Sequence, residues 1–215
     1  MRRPASVAIL VLTAAVLVGC ASPAGPDPST PSSKPDVPAA TVTPEPSATA
    51  DQSAPVDPAD PADPSTWLIS DTGIGPIELG MPYSDALGLM PPGTENDPER
   101  CAWLAWWTAP AEDYNVYTAG SSDTPGAGTV VLVATEAPAG SAVAPGPRTA
   151  EGVGVGSTVA EVQEAYPSAV ETADSTDPSI VHLRAGRIFF TYREDPVIRA
   201  VTVTTAEVPP YELCG

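Results

Sequence analysis

Residues 77–91 and 153–167 are two versions of one pattern, set 76 positions apart. Ile77 and Leu79 match Val153 and Val155, Gly80 matches Gly156, Asp85 matches Glu161, and Pro91 matches Pro167. Such a repeat constrains the fold more than composition does, because each copy must build a similar unit and the two units must share a core. In each copy a short extended apolar piece ends at glycine and a helix follows. Thr158 and Glu161 read as a capping box, and Val159, Val162 and Tyr166 fall on one helical face. Tyr83, Ala86 and Met90 take those places in the first copy, where Pro82 sits at a tolerated first-turn position and Gly88 weakens the helix. Pro91 and Pro167 stop both helices.

Strand signals follow each helix. In the second copy Ile180–Arg184 and Arg187–Arg193 flank Ala185-Gly186, a tight-hairpin pattern. Glu194-Asp195-Pro196 then turns into Val197–Thr205, rich in Val and Thr. The first copy offers Cys101–Thr108, Tyr114–Ala119 and Thr129–Thr135. The expected fold is therefore α+β: a tandem repeat of a short helix plus an antiparallel three-stranded meander, with the helices on one face of a sheet. Repeat 1 covers about residues 71–145 and repeat 2 about 149–215.

A glycine turn, a helix with an acidic residue in its first turn and a meander, in tandem, resemble the exported repeat domains of the β-lactamase inhibitory protein and SmpA/OmlA-like superfamily. Glu99-Arg100-Cys101, the run Ala150-Glu151-Gly152-Val153-Gly154-Val155-Gly156 and the closing Cys214 also resemble lipoproteins of high-GC Gram-positive bacteria. The resemblance covers residues 71–215 and implies an exported domain. Its motifs are structural, so no inhibitor contact residue carries over to a position here.

The rest of the chain is a different material. Residues 21–66 hold twelve prolines and no aromatic residue, with Val37, Val42 and Val56 as the only large apolar side chains. Such a segment cannot bury enough surface to offset its ordering entropy, and residues 20–66 read as a disordered stalk. The globular domain is expected at 67–215. It has 20 acidic residues, six Arg and no Lys, a net charge of −14. That excess opposes nucleic acid and anionic membrane surfaces as electrostatic partners.

Arg2 and Arg3 precede an apolar run from Val7 to Val18, too short for the ~20 residues of a bilayer span but suited to an export signal. Leu17-Val18-Gly19-Cys20 resembles a bacterial lipobox. The resemblance implies a signal peptide over residues 1–19, cleavage between Gly19 and Cys20, and a diacylglyceryl group on Cys20. Two acyl chains hold a protein on a membrane stably, so the expected place is the extracytoplasmic face of the cell membrane, with the lipid as the only membrane contact. With Cys20 acylated, Cys101 and Cys214 are left, and outside the cytoplasm they are expected to form a disulfide.

Chemistry-bearing residues are few. His182 is the only histidine. A strand histidine facing solvent or a hydrogen bond is its plainer account, since no Gly-x-Ser-x-Gly elbow accompanies it. No metal-ligand spacing appears, and no cofactor is expected. Glu95, Asp97 and Glu99 cluster, and Asp174 and Asp177 share a loop. A carboxylate pair cleaving an envelope glycan is one alternative reading, and a purely structural envelope lipoprotein is another. Trp103, Trp106 and Trp107 crowd one short strand, where alternation puts Trp103 and Trp107 on one face and Leu104 and Trp106 on the other. They can pack the core or serve recognition. The leading expectation is a non-catalytic module binding a neutral or basic envelope protein or polymer through these three tryptophans.

Overall fold

The structure, a computed structural model, describes residues 60–138 and 146–214. The expected signal peptide with Gly19, Cys20 and nearly all of the expected stalk lie outside the described residues. A 3-10 turn at Pro64–Thr66 is capped by the Asp63 side chain and leads into Trp67, whose indole N–H donates to the Asp60 carbonyl at 2.9 Å. Three short strands follow: β1 (Leu68–Ser70), β2 (Gly73–Ile74) and β3 (Ile77–Glu78). Helix α1 (Tyr83–Leu89) leads into β4 (Glu95–Asp97), β5 (Cys101–Thr108), β6 (Asn115–Gly120) and β7 (Val130–Glu136). The second half runs through β8 (Arg148–Thr149), α2 (Val159–Ala165), β9 (Val170–Ala173), β10 (Val181–Ala185), β11 (Ile188–Tyr192) and β12 (Ala200–Thr204).

The strands make two sheets. The larger has the order β4-β5-β6-β7-β12-β11-β10-β9 and the smaller β3-β2-β1-β8. Every neighbouring pair in the larger sheet is antiparallel. It consists of two four-stranded meanders joined where β7 pairs with β12, Val133 opposite Val203. The register places Trp107, Val116, Thr135, Val201, Phe190 and Leu183 in one row across the sheet. All six are buried. The smaller sheet contributes Ile69, Ile74 and Ile77 to the same core, Trp67 joins them from just before β1, and the helices add Tyr83, Ala86 and Val162. At ~25 cal/mol per Å², this burial is what holds the layers together.

The expected fold class is corrected here. The described chain is mostly β, in two sheets, and is not an α+β repeat with helices covering a sheet. Each helix has only seven residues, too short to cover an eight-stranded surface. The middle of the inner face is taken instead by the second sheet, where β2 and β3 approach β7 and β12. Its strands are two or three residues long, below the length at which alternation identifies a strand. The parallel pairing of β1 with β8, Leu68 opposite Arg148, joins segments far apart in the chain. The three-stranded meanders also have a fourth strand each, β4 and β9, lying at the two edges of the large sheet. Both are short and polar, as edge strands often are.

Locally the two Gly-ended segments are alike. Gly80 and Gly156 have φ of 84° and 87°, a conformation open to glycine at little cost. Gly80 N–H donates to the Val130 carbonyl and Val130 N–H to that of Met81. Gly156 N–H donates to the Ile198 carbonyl and Ile198 N–H to that of Ser157. Each glycine thereby ties the entry of a helix to the chain entering a seam strand, β7 or β12. Thr158 and Glu161 form the full capping box, whereas Pro82 gives α1 no side-chain cap.

Candidate functional site

The outer face of the large sheet is the side turned away from the helices and the small sheet. The register lines up Trp106, Tyr117, Ala134, Thr202, Phe189 and Arg184 in one outer row. Asn115, Glu136, Ala200, Thr191 and His182 form the next. The C-terminal segment after β12 crosses this face. Thr205 N–H donates to the Val131 carbonyl at 3.1 Å. Leu213 packs against Ala119, Leu132 and Ala134. The Trp103 indole N–H donates to the Leu213 carbonyl at 2.7 Å. Cys101 and Cys214 are disulfide-bonded, with Cα atoms 5.8 Å apart, inside the usual 4.4–6.8 Å range.

The crossing segment leaves a hollow on each side. One, about 310 Å³, lies between Trp103, Leu132, Thr204, Val208 and Leu213. It is largely apolar. The other, about 330 Å³, is polar and has Tyr117, Glu136, Asp174 and His182 in its walls, with Pro209 to Glu212 along one side.

The three tryptophans do not form one surface. Trp107 is a core residue, and its indole N–H donates to the Pro92 carbonyl at 3.2 Å. Trp106 and Trp103 are half-buried. Alternation put Trp103 with Trp107, yet Trp103 walls the apolar outer hollow. The cause is an irregularity in the edge pairing: Asn96 lies opposite Ala105, but the next residue, Asp97, lies opposite Cys101. Strand periodicity fails across such a bulge.

His182 is buried, 3% exposed. Its Nδ1 shares a 2.9 Å hydrogen bond with Thr191 Oγ1. Its Nε2 has no hydrogen-bond partner and stands 3.8 Å from Asp174 Oδ2. Burial holds the imidazole below its ordinary value, and the Asp174 charge opposes that shift. Asp174 is held below the usual carboxylate range chiefly by the N–H groups of Asp177 and Thr176, with His182 adding to the effect. Those N–H donors lie 3.0 and 2.6 Å from its Oδ1, so Asp174 organises its own loop. Glu136 shows the opposite shift. Part of its side chain faces solvent, but desolvation of the carboxyl raises its pKa, against the lowering effects of a Tyr117 hydrogen bond and Arg193. Burial pushes the Tyr117 hydroxyl well up, with the Glu136 charge adding to the rise and Thr202 opposing it.

The acidic cluster is structural at its centre: Glu95 and Asp97 belong to edge strand β4, and Asp97 Oδ1 accepts from the N–H groups of Glu99 and Arg100, both at 3.1 Å. Among the described residues no group of three His, Cys, Asp or Glu is placed to hold a metal, and no helix is long and apolar enough to cross a membrane. Sequence reasoning passed over Glu136, Tyr117 and Tyr211. Nothing local marks them, because their juxtaposition comes from cross-strand register and from the path of the terminal segment. No family model, curated protein or solved structure matches the chain.

Proposed function

We propose that the protein is an extracytoplasmic lipoprotein, acylated at Cys20 and held to the cell membrane by that lipid alone. Its domain is a non-catalytic module that binds a neutral or basic envelope protein or polymer on the outer face of the large sheet. One observation carries the binding reading: a single sheet face holds two adjoining hollows, one apolar and one polar, separated by a disulfide-pinned segment. The segment packs on the apolar patch of Ala119, Leu132 and Ala134 through Leu213, and beside it Glu136, Thr191, Thr202 and His182 line an open polar hollow that it does not fill. Trp103 and Trp106 supply half-buried aromatic surface on or beside this face, the residue type most enriched at binding hot spots. The net charge of −14 steers a basic partner inward and repels an anionic one. The lipobox and the proline-rich stalk supply anchor and reach, in keeping with the lipoprotein resemblance.

A photo-crosslinking residue placed in intact cells at Thr108, an exposed position in the outer register, is compared with one at Glu164 on α2. A discrete adduct from Thr108 alone is expected. No adduct, or the same adducts from both positions, overturns the reading. Mass spectrometry of the purified protein is expected to find diacylglycerol on an N-terminal Cys20, and a different N-terminus refutes the anchor.

Glycan hydrolysis is a second reading, because Glu136 and Asp174 share the polar hollow with proton affinities shifted in opposite directions, the pattern of an acid and its partner. However, β7 and β9 are four strand spacings apart, about 19 Å of sheet. Paired glycosidase carboxyls stand about 5–9.5 Å apart. The spacing keeps this reading second. Glycan turnover by the wild type that is lost in Glu136→Gln would put it first.

A further inference from the structure

We propose that residues 206–214 are a releasable strap: a dithiol reductant that opens the Cys101–Cys214 disulfide lifts them from the outer face and uncovers a seat for an extended apolar peptide segment of the partner. This rests on the binding-module reading and adds its regulation. The first argument is how the strap is held. At its near end Thr205 N–H donates to the Val131 carbonyl. At its far end are the Leu213 contacts, the Trp103 hydrogen bond to the Leu213 carbonyl and the disulfide. Among the described residues no hydrogen bond joins any residue from Glu207 to Glu212 to the rest of the molecule. Pro209 and Pro210 have no N–H to donate, and Val208 and Tyr211 are exposed. A segment held only at its ends opens locally when one end is freed.

The second argument is the asymmetry of the bond. Cys214 is exposed, whereas Cys101 is buried at 3%, so an incoming thiolate meets Cys214. It bonds to the Cys214 sulfur, the Cys101–Cys214 bond breaks, and the Cys101 sulfur leaves as a thiolate and takes up a proton. The second thiol of the reductant then attacks the mixed disulfide. Cys214 leaves as a thiol, and the reductant departs oxidised to its own disulfide, two electrons having passed to the protein. The third argument is what lies beneath. Ala119, Leu132 and Ala134 are buried and pack with Leu213 in a cluster separate from the inner core. Lifting the strap therefore bares this cluster and leaves the packing of Trp107, Val116, Phe190 and Val201 in place. It also takes the Leu213 carbonyl from the Trp103 indole N–H, a donor that then favours a replacement acceptor. The seat fits a peptide that sets a Leu-like side chain on the cluster and a main-chain carbonyl on Trp103, as the strap does. While the disulfide holds, the tethered strap competes at high effective concentration, and the partner's apparent affinity falls to the fraction of open molecules.

The test compares the full-length oxidised protein with the same protein reduced by dithiothreitol and with Cys214→Ser, by NMR. Amide hydrogen exchange at residues 206–213, and exchange of the Trp103 indole proton, are expected to rise at least about 10-fold in both opened forms. The signals of Leu183, Phe190 and Val201 are expected to stay where they are. The peptide acetyl-Pro-Pro-Tyr-Glu-Leu-amide, which copies residues 209–213, should bind the opened forms at least about 10-fold more tightly than the oxidised one. The same peptide with aspartate in place of leucine should bind neither. Unchanged exchange in the strap, loss of the inner-core signals on opening, or equal peptide binding to oxidised and opened protein overturns the strap. In cells, the photo-crosslinked adduct from Thr108 should grow at least about 5-fold in Cys214→Ser. An adduct of equal yield in both proteins removes the strap's regulation and leaves the module reading standing. Strap release and peptide binding with no adduct from either protein removes the module reading alone.

Discussion

Tyr83 and His182 are buried polar residues, and each has one atom left without a partner. Tyr83 lies between α1 and the large sheet, near Gly120. Its hydroxyl finds no hydrogen bond, and burial pushes its pKa up to about 12. A buried unsatisfied hydroxyl costs ~1–3 kcal/mol, so Tyr83→Phe should not destabilise the domain and should gain about 1 kcal/mol in urea unfolding. His182 makes a pH prediction. Its folded-state pKa lies below the ordinary 6.5, so the folded chain takes up this proton less readily than the unfolded one. The contribution is complete above about pH 6.5 and is lost as the pH falls below it, with a slope of at most ~1.4 kcal/mol per unit. Glu136 runs the other way: its pKa is raised in the fold, so folding is favoured as the pH falls through that value. His182→Asn keeps a partner for Thr191 and should remove the loss between about pH 6.5 and 5, leaving only the Glu136 trend. Unfolding curves of both proteins across that window check it. The sequence put Tyr83 on one helical face with Ala86 and Met90, but the burial of His182 was not visible, because a strand position reads the same whether its outer face is open or covered.

The two helices show how far local chemistry reaches. Thr158 and Glu161 were legible as a capping box because the interaction closes within three residues, and the Glu161 N–H to Thr158 Oγ1 bond is present at 3.2 Å. Thr158→Ala should cost about 1 kcal/mol. Helix α1 has no side-chain cap and carries Gly88 in its interior. A methyl group at Gly88 would meet nothing within 4 Å, so Gly88→Ala should add about 0.5–1 kcal/mol. Thermal denaturation of the two variants should move in opposite directions. Six of the eight strands in the large sheet were also legible, each as a run of Val, Ile, Thr or aromatic residues between turn signals. The two that were missed, β4 and β9, are Glu-Asn-Asp and Val-Glu-Thr-Ala at the sheet edges. An edge strand needs hydrogen bonds on one side only and no apolar face, so its composition carries little strand signal. The bulge at Asn96 and Asp97 misled the placement of Trp103 for a related reason: a period of two holds only while pairing is regular.

At the scale of the molecule, the bond between Cys101 and Cys214 closes a loop of 113 residues. The loop-entropy model values that closure at ~5 kcal/mol, an upper figure. Cys214→Ala should lose several kcal/mol by ~that reckoning, and it should release the segment after β12. Limited proteolysis is then expected to cut within residues 206–213 before the rest of the domain, while the intact disulfide protects them. The acid excess, the pairing of the two domain cysteines, the helix starts and stops and the central strands were all readable from the chain, because each depends on composition, parity or contacts within a few residues. Only the tertiary structure decided that the domain is a β-rich, two-sheet molecule. It joined the two meanders at β7 and β12, put a sheet of two- and three-residue strands over the inner face, and laid the terminal segment across the outer one. Those choices bring Tyr117, Glu136, His182 and Tyr211 around one hollow from four separate parts of the chain. Register and layer packing are set by which apolar surfaces can be buried together, and no local pattern in the sequence records that.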